Sequence, residues 1–408
     1  MPKIIFVSDL TVWSMGKGSG GPAFSQTLKK YIDENWDVYL ISDELSNKDC
    51  AYLDKTHNII IKPSKLKKYV SVKKVGVFFK WLDHIYITKK FCKEIKKLLA
   101  EGNKNVILYA YEIFGVKACK KMSKKYRIPL VTRFQGTILS QFQNNWINHI
   151  RLYPHFQALS QEADLIIMTD DGTKGRDVLK SLKNKSHTLF FRNGLDLLEK
   201  DINQMYETFD KKNFLSKISI KVTNNDCIFL TVSRLTGWKK VERAIDGFAE
   251  YCNQGSQGKM LIVGDGDQKD FLMQRAGKLG VLKNIYFAGS VSHENVYQFM
   301  MACDVFLSLY DLSNVGNPLL EAMTLGKSII TLDVGDTRKL IKNEENGILL
   351  TYDELPNLWK KMDELAQSKE RRKKLGKAAE EYAKNNFYTW NKRMQLEFLE
   401  VGKLIENY

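Results

Sequence analysis

The chain has 408 residues, 44% of them apolar, with 63 basic side chains against 47 acidic ones and a formal net charge of +16. That length fits two domains of ordinary size, each with a sizeable core. No uncharged apolar run reaches the ~18 residues of a transmembrane helix, and the six scattered cysteines lack CxxC spacing, which argues against zinc and for reduced thiols.

The start leads from MPK straight into an apolar strand without a visible signal peptide, so a cytoplasmic protein is expected. KIIFVSDL (3–10) reads as a buried strand, followed by a loop with four glycines between 16 and 21 and then a helix. Strand, glycine turn and helix let backbone approach a phosphate. The spacing GKGSGG is neither GxGxxG nor a Walker loop, and it equally fits a plain flexible turn. WDVYLISD (36–43), HNIIIKP (57–63), VILYAYE (106–112) and IPLVTRFQGT (128–137) read as further strands, with a basic helical region before the third of these. Residues 61–100 hold twelve lysines against Asp83 and Glu94, interleaved with Tyr69, Val77, Phe78 and Trp81. Such a segment suits an anionic membrane surface, met through residues 62–97; a solvated lysine-rich face is the plainer alternative. No nucleic-acid motif accompanies the charge, so no nucleic-acid partner is expected.

ADLIIMTDDGTKGRDVL (163–179) reads as strand to helix, with Asp170 and Asp171 as helix caps rather than a metal pair. HTLFFRNGLD (187–196) closes the first α/β run, and 198–225 is a polar connection with an edge helix. The strand CIFLTV then ends in Ser-Arg-Leu, with a helix starting near Val241. Arg234 and Lys239 therefore sit at a strand–helix junction, two cations placed to neutralise a diphosphate. KMLIVGDG ends in a glycine-bearing turn, and NIYFAGSVSHENVYQFMMAC (284–303) supplies strand, turn and helix, with His293 read as a capping or surface residue. DVFLSL is the next strand; after a loop containing Gly316, PLLEAMTLG opens a helix at Pro318 and stops at Gly326. The unpaired N–H groups of such a helix start favour an anion, and Glu321 lies one turn inside it.

Arg234, Lys239 and the stretch from Asp304 to Leu350 resemble the donor-site signature of retaining glycosyltransferases of family 4. The fold class this implies is α/β of the GT-B type: two doubly wound Rossmann-like domains facing a cleft, with a C-terminal helix crossing back to the first. The expected boundaries are 1–197 for an acceptor-side domain, with 386–408 packing back on it, and 198–385 for a nucleotide-sugar-binding domain. The implied activity moves a sugar, with retention, from a nucleoside diphosphate sugar (foremost a UDP-sugar) to a hydroxyl of a saccharide, without metal or cofactor. By the resemblance, Arg234 and Lys239 stabilise the departing diphosphate, and Gly20 and Gly21 of the first loop face the donor. Ser290 and Val291 lie beside the base. Backbone from Gly316 through Asn317, Pro318, Leu319 and Leu320 holds phosphate and sugar, while Glu321 accepts hydrogen bonds from the ribose. The family's reaction is one of front-face attack, in which the leaving phosphate takes the acceptor's proton.

Two positions depart from the family pattern. Ser313 stands eight residues before Glu321 where the family has Glu, and Gln135 replaces the histidine of a His-Gly pair. Glutamine donates a hydrogen bond to phosphate but is neither acid nor base; Arg133 and Thr137 flank it with charge and a hydroxyl. The departures fit a subgroup in which Ser313, Asn314 or Asn317 reads the sugar hydroxyls. They also fit a non-catalytic partner of another glycosyltransferase. The basic segment makes a lipid-linked saccharide at the inner membrane face the expected acceptor, in cell-envelope polysaccharide synthesis; a cytosolic protein is the alternative.

Overall fold

A computed structural model describes residues 1–8, 23–43, 52–62, 64–70, 76–100, 102, 104–143, 145–223, 226–312 and 314–406. Two compact units emerge: one comprises Met1–Asp170, Lys174–Gly194 and Trp390–Tyr408, the other Asp171–Thr173 and Leu195–Thr389. The first unit runs β1 (Lys3–Ser8), α1 (Ala23–Asp33), β2 (Asp37–Asp43), β3 (His57–Ile61), α2 (Gly76–Ala100), β4 (Val106–Tyr111), α3 (Ile113–Tyr126) and β5 (Leu130–Phe134). It continues with α4 (Trp146–Arg151), α5 (Tyr153–Leu159), β6 (Leu165–Thr169), α6 (Gly175–Ser181) and β7 (Thr188–Phe191). The seven strands pair in parallel in the order β3-β2-β1-β4-β5-β6-β7. Every residue of β4 and β5 is buried, as strands covered by helices on both faces must be.

The second unit runs α7 (Ile202–Thr208), α8 (Lys211–Lys217), β8 (Cys227–Val232), α9 (Glu242–Asn253), β9 (Gly258–Val263), α10 (Lys269–Lys278) and β10 (Ile285–Gly289). Then come α11 (His293–Ala302), β11 (Val305–Ser308), α12 (Asn317–Thr324), β12 (Ser328–Leu332), β13 (Ile348–Leu350), α13 (Leu358–Gln367) and α14 (Lys369–Asn386). Its six parallel strands take the order β10-β9-β8-β11-β12-β13. Counted from its own first strand, this is the doubly wound order in which the chain reverses direction between strands one and four. Ligands of such sheets bind beyond the carboxyl ends of the strands at that reversal, here β8 and β11. Two apolar layers, one on each sheet face, form its core.

The last helix, α15 (Trp390–Glu406), belongs to the first unit. Its start lies so close to Gly194 that a Cβ there would sit 2.5 Å from the Cα of Trp390, which explains a glycine at that position. Glu397 enters the sheet face completely buried and accepts from Arg133 at 3.0 Å, Arg393 at 2.7 Å and the Tyr109 hydroxyl at 2.5 Å. Burial raises the carboxyl's pKa, but the two guanidinium groups outweigh it and hold the net value below the usual range. One expectation changes here: Arg133 is turned to α15 and carries no exposed surface, so its charge is not offered beside Gln135. Another change concerns Asp170 and Asp171. The residue capping α6 is Lys174 in a left-handed conformation, while Asp171 accepts from the amide and hydroxyl of Thr173.

Candidate active site

β8 leads into Ser233, Arg234 and Leu235, and this backbone is stitched to the neighbouring turn. Ser233 N donates to Val263 O at 3.0 Å, and Leu235 N to Asp265 O at 2.9 Å. The turn requires its two glycines: a Cβ on Gly264 would lie 1.8 Å from the carbonyl of Ser233, and one on Gly266 2.3 Å from that of Leu235. The Arg234 backbone is thus fixed while its guanidinium lies over the Trp238 ring, 5.4 Å from the centroid. The Lys239 ammonium is buried against the same ring at 4.6 Å and against Tyr310 at 4.4 Å. Burial pushes its pKa down to about 7; the Asp171 carboxylate opposes this and Arg234 adds to it. Tyr310 is itself anchored by donating to Val232 O at 2.9 Å, so it ties β8 to the loop after β11. These two cations converge at the reversal point of the sheet, as the sequence spacing implies. Trp238 and Tyr310, which back them, were not legible as site residues.

The loop after β11 enters α12 through Gly316, with Asn317 and Pro318 as the first helical residues. Pro318 has no N–H, and the amides of Leu319 and Leu320 donate to Gly316 O at 3.1 and 3.4 Å. Three of the five backbone groups from Gly316 to Leu320 are therefore not available to an anion, and the side chains of Leu319 and Leu320 face the core. Asn314 is also turned inward: its amide nitrogen donates to Val334 O and to the Thr337 hydroxyl, clamping the turn after β12. Ser313, Gly20 and Gly21 lie outside the described residues. Glu321 is only 2% exposed, and its Oε1 lies 2.6 Å from Nε2 of His293. His293 opens α11 but does not cap it; Ser292 holds the cap position, and the imidazole reaches across to α12 instead. Burial lowers the pKa of His293, yet the hydrogen bond and charge of Glu321, with Asp196, outweigh it and leave the net value raised. Burial raises the Asp196 carboxyl in turn. Ser290 and Val291 form the turn that leads from β10 to this histidine, Ser290 exposed and Val291 half-buried against the core.

In the first unit Gln135 follows β5. Its backbone N–H donates to Glu112 at 2.6 Å, its side-chain amide donates to the Tyr111 hydroxyl at 2.7 Å, and its Oε1 accepts from Thr169 at 3.0 Å. The glutamine thus joins the carboxyl ends of β4, β5 and β6, with its orientation set and a second amide N–H remaining. Thr137 is buried and turns its hydroxyl to the amide of Leu139 at 3.1 Å. Among the described residues no three His, Cys, Asp or Glu side chains converge as a metal site.

Comparison with known proteins bears on the fold and the family. A family model described as glycosyl transferases group 1 matches residues 213–382, nearly all of the second unit. An uncharacterized glycosyltransferase of Methanocaldococcus jannaschii is 31% identical over 180 residues, 42% of this chain and 45% of that protein. The match therefore spans less than half of the archaeal relative. The N-acetyl-alpha-D-glucosaminyl L-malate synthase of Bacillus anthracis is 24% identical over 69% of this chain and 70% of its own. Among solved structures, Anabaena HepE in complex with UDP and glucose superposes with a TM-score of 0.72 at 18% identity, covering 99% of this chain and all of that one. Two parallel Rossmann-like sheets, a terminal helix returned to the first, and a matched second unit have one common explanation: the chain has the GT-B fold, and its second unit belongs to the group 1 glycosyl transferases, family 4.

Proposed function

We propose that this chain is a retaining glycosyltransferase that takes its sugar from a nucleoside diphosphate donor, with UDP as the carrier. The observation that carries the reading is the pair Arg234 and Lys239 at the carboxyl end of β8, with Lys239 buried between two rings and its pKa depressed to about 7. A buried ammonium that easily gives up its proton is stabilised by an arriving diphosphate, and more so as charge builds on the leaving group. In the step itself the bond from the anomeric carbon to the diphosphate oxygen breaks. The acceptor hydroxyl oxygen bonds to the same face, and its proton passes to the leaving phosphate.

Arg234 and Lys239 neutralise the diphosphate, Glu321 takes the ribose hydroxyls on its second oxygen, and Ser290 with Val291 lies along the base. Gly316, Asn317 and Ser313 meet the phosphate and sugar, Gly20 and Gly21 face the donor, and Gln135 offers its remaining N–H. UDP is favoured because it is the nucleotide held by the Anabaena neighbour. The acceptor is proposed as a lipid-linked saccharide at an anionic membrane surface, because eleven lysines face two acids on α2 and α3. No described helix is long and apolar enough to cross a membrane.

The test is incubation of the purified chain with a panel of nucleotide sugars, scoring released nucleoside diphosphate. Release from one donor is expected, reduced about 100-fold or more in Lys239→Ala, the loss typical when one preorganised charge-stabilising group is removed. Glu321→Ala should also reduce it, through donor KM. No release from any donor, with membrane extract supplied as acceptor, would overturn the reading in favour of a non-catalytic partner.

A further inference from the structure

The sequence places its basic, aromatic segment on α2, but a second apolar surface stands beside it on a helix with no such signature. α4 is six residues long, and Trp146, Ile147 and Ile150 are 72%, 56% and 58% exposed. Its fourth residue, His149, turns the other way and stacks on Phe156 of α5 at 3.9 Å. The three large apolar groups therefore share the outward face, at spacings i, i+1 and i+4. Soluble proteins scatter exposed apolar side chains singly; three on under two turns mark a surface made to be covered.

The position of that face follows from α5. Tyr153 of α5 packs against His84 of α2, ring centroids 5.7 Å apart, and its hydroxyl accepts from Lys117 of α3 at 2.9 Å. Trp81 lies three residues before His84, and Ile150 three residues before Tyr153, so both apolar sets approach one junction. On the α2 side Phe78 is 57% exposed, with Trp81 at 6.4 Å from it, and Lys68 lies over the neighbouring Tyr69 ring. At this junction the Lys117 ammonium lies 5.4 Å from the centroid of the Tyr153 ring, and the charges of Lys117 and Lys80 both act on His84.

We infer that Trp146, Ile147 and Ile150 form an insertion wedge which, with the start of α2, seats the first unit on a bilayer containing anionic lipid. This rests on the membrane-side acceptor reading and deepens it by naming the apolar half of the contact. Charge selects the occupant: α2 and α3 carry eleven lysines against two acids, so a second copy of this chain would bring like charge against like. Anionic headgroups match the lysines, and the acyl boundary takes the wedge.

The test uses flotation of the full chain with vesicles of phosphatidylcholine, alone or mixed with phosphatidylglycerol. Floating with the mixed vesicles is expected, with Trp146→Ser, Ile147→Ser, Ile150→Ser together lowering the partition about tenfold or more. The residual binding of that variant should vanish in high salt, while the parent chain keeps a part that salt does not screen. Brominated lipid should quench the fluorescence of the parent chain, and less so that of Trp146→Phe, a variant that keeps the ring and the fold. Equal flotation of parent and triple variant would overturn the wedge while leaving charge-driven docking standing. A parent chain that is a dimer, with a monomeric triple variant, would also overturn it, the face then joining copies. If the parent floats with no vesicle, the membrane reading falls with the wedge; donor turnover measured in the same preparation shows whether the transferase reading survives.

Discussion

Arg133 and Lys239, a buried cation from each unit, are handled in opposite ways. Arg133 lies at the sheet face of the first unit, paired with Glu397 at 3.0 Å and cut off from solvent; although burial opposes its charge, the neighbouring carboxylate overrides this and keeps it firmly protonated. Lys239 lies at the strand ends of the second unit between aromatic rings, with its pKa lowered to about 7 because burial outweighs the nearby carboxylate of Asp171. The first cation is complete within the fold and serves to fasten α15. The second is held at the edge of losing its charge, a state that an incoming anion relieves. Burial alone does not mark a functional group, and neither does the sign of the shift, since Lys327 and Arg393 are also shifted down by burial; what sets Lys239 apart is its place at the strand ends between two rings.

The comparison breaks most forcefully at Glu397. Its removal leaves Arg133 and Arg393 facing each other in a dry interior, so Glu397→Gln should destabilise the first unit by about 3–5 kcal/mol, read by urea unfolding. A loss below about 1 kcal/mol would mean that α15 is fastened by its apolar contacts through Trp390 and Met394 instead.

At Lys239 the expected effect is on proton linkage. If diphosphate restores the ammonium, binding of UDP takes up a proton wherever pH lies above about 7 and below the higher pKa of the complex. Affinity should then fall as pH rises through that window, by up to about tenfold per pH unit, and level off below 7. Calorimetry at pH 8 in two buffers of different ionisation heat should show the uptake, and Lys239→Met should abolish it. In the unliganded chain the same group contributes stability that rises with pH from about 7 toward 10.5, because there the unfolded chain retains the proton. Binding heats that are identical in both buffers would show that Lys239 is charged throughout.

Much of this was legible in the sequence because it is local. Arg234 and Lys239 lie five residues apart at one strand end, and the strand and helix limits of both units follow from apolar runs broken by glycine and proline. What escaped depends on pairs distant in the chain. The pleat puts Arg133 and Phe134 on opposite faces of β5, but nothing within the strand tells that a helix 264 residues later supplies the covering carboxylate. Gln135 looked like a site residue offered to a ligand, and its clasp by Tyr111 and Thr169 appears only once the strand order is known. Asn314, expected to read a sugar, is turned inward by the carbonyl of Val334 and the hydroxyl of Thr337. The α4 face left no mark at all, since three apolar residues on a short helix look like core until their exposure among the described residues is seen.

His293 gives the smallest effect and the finest discrimination. Its raised pKa comes from Glu321 and Asp196 acting against burial, so the charged pair with Glu321 is fully formed below the ordinary histidine value near 6.5 and lost as pH rises through the shifted one. The imidazole is partly exposed, and the pair should behave as a half-screened one: His293→Gln raises donor KM about threefold to fivefold with kcat little changed. Because Glu321 is buried and its other oxygen is the one assigned to the ribose, the imidazole's task is to fix the carboxylate's direction rather than to touch the reacting atoms. That role has a signature a merely structural one lacks. In the parent chain donor KM should climb on the alkaline side as the imidazole discharges, in addition to the rise that Lys239 causes, and in His293→Gln only the part set by Lys239 should remain, because an amide donates to Glu321 at every pH. A variant whose alkaline limb is unchanged from that of the parent would assign the whole of it to Lys239 and none to this pair.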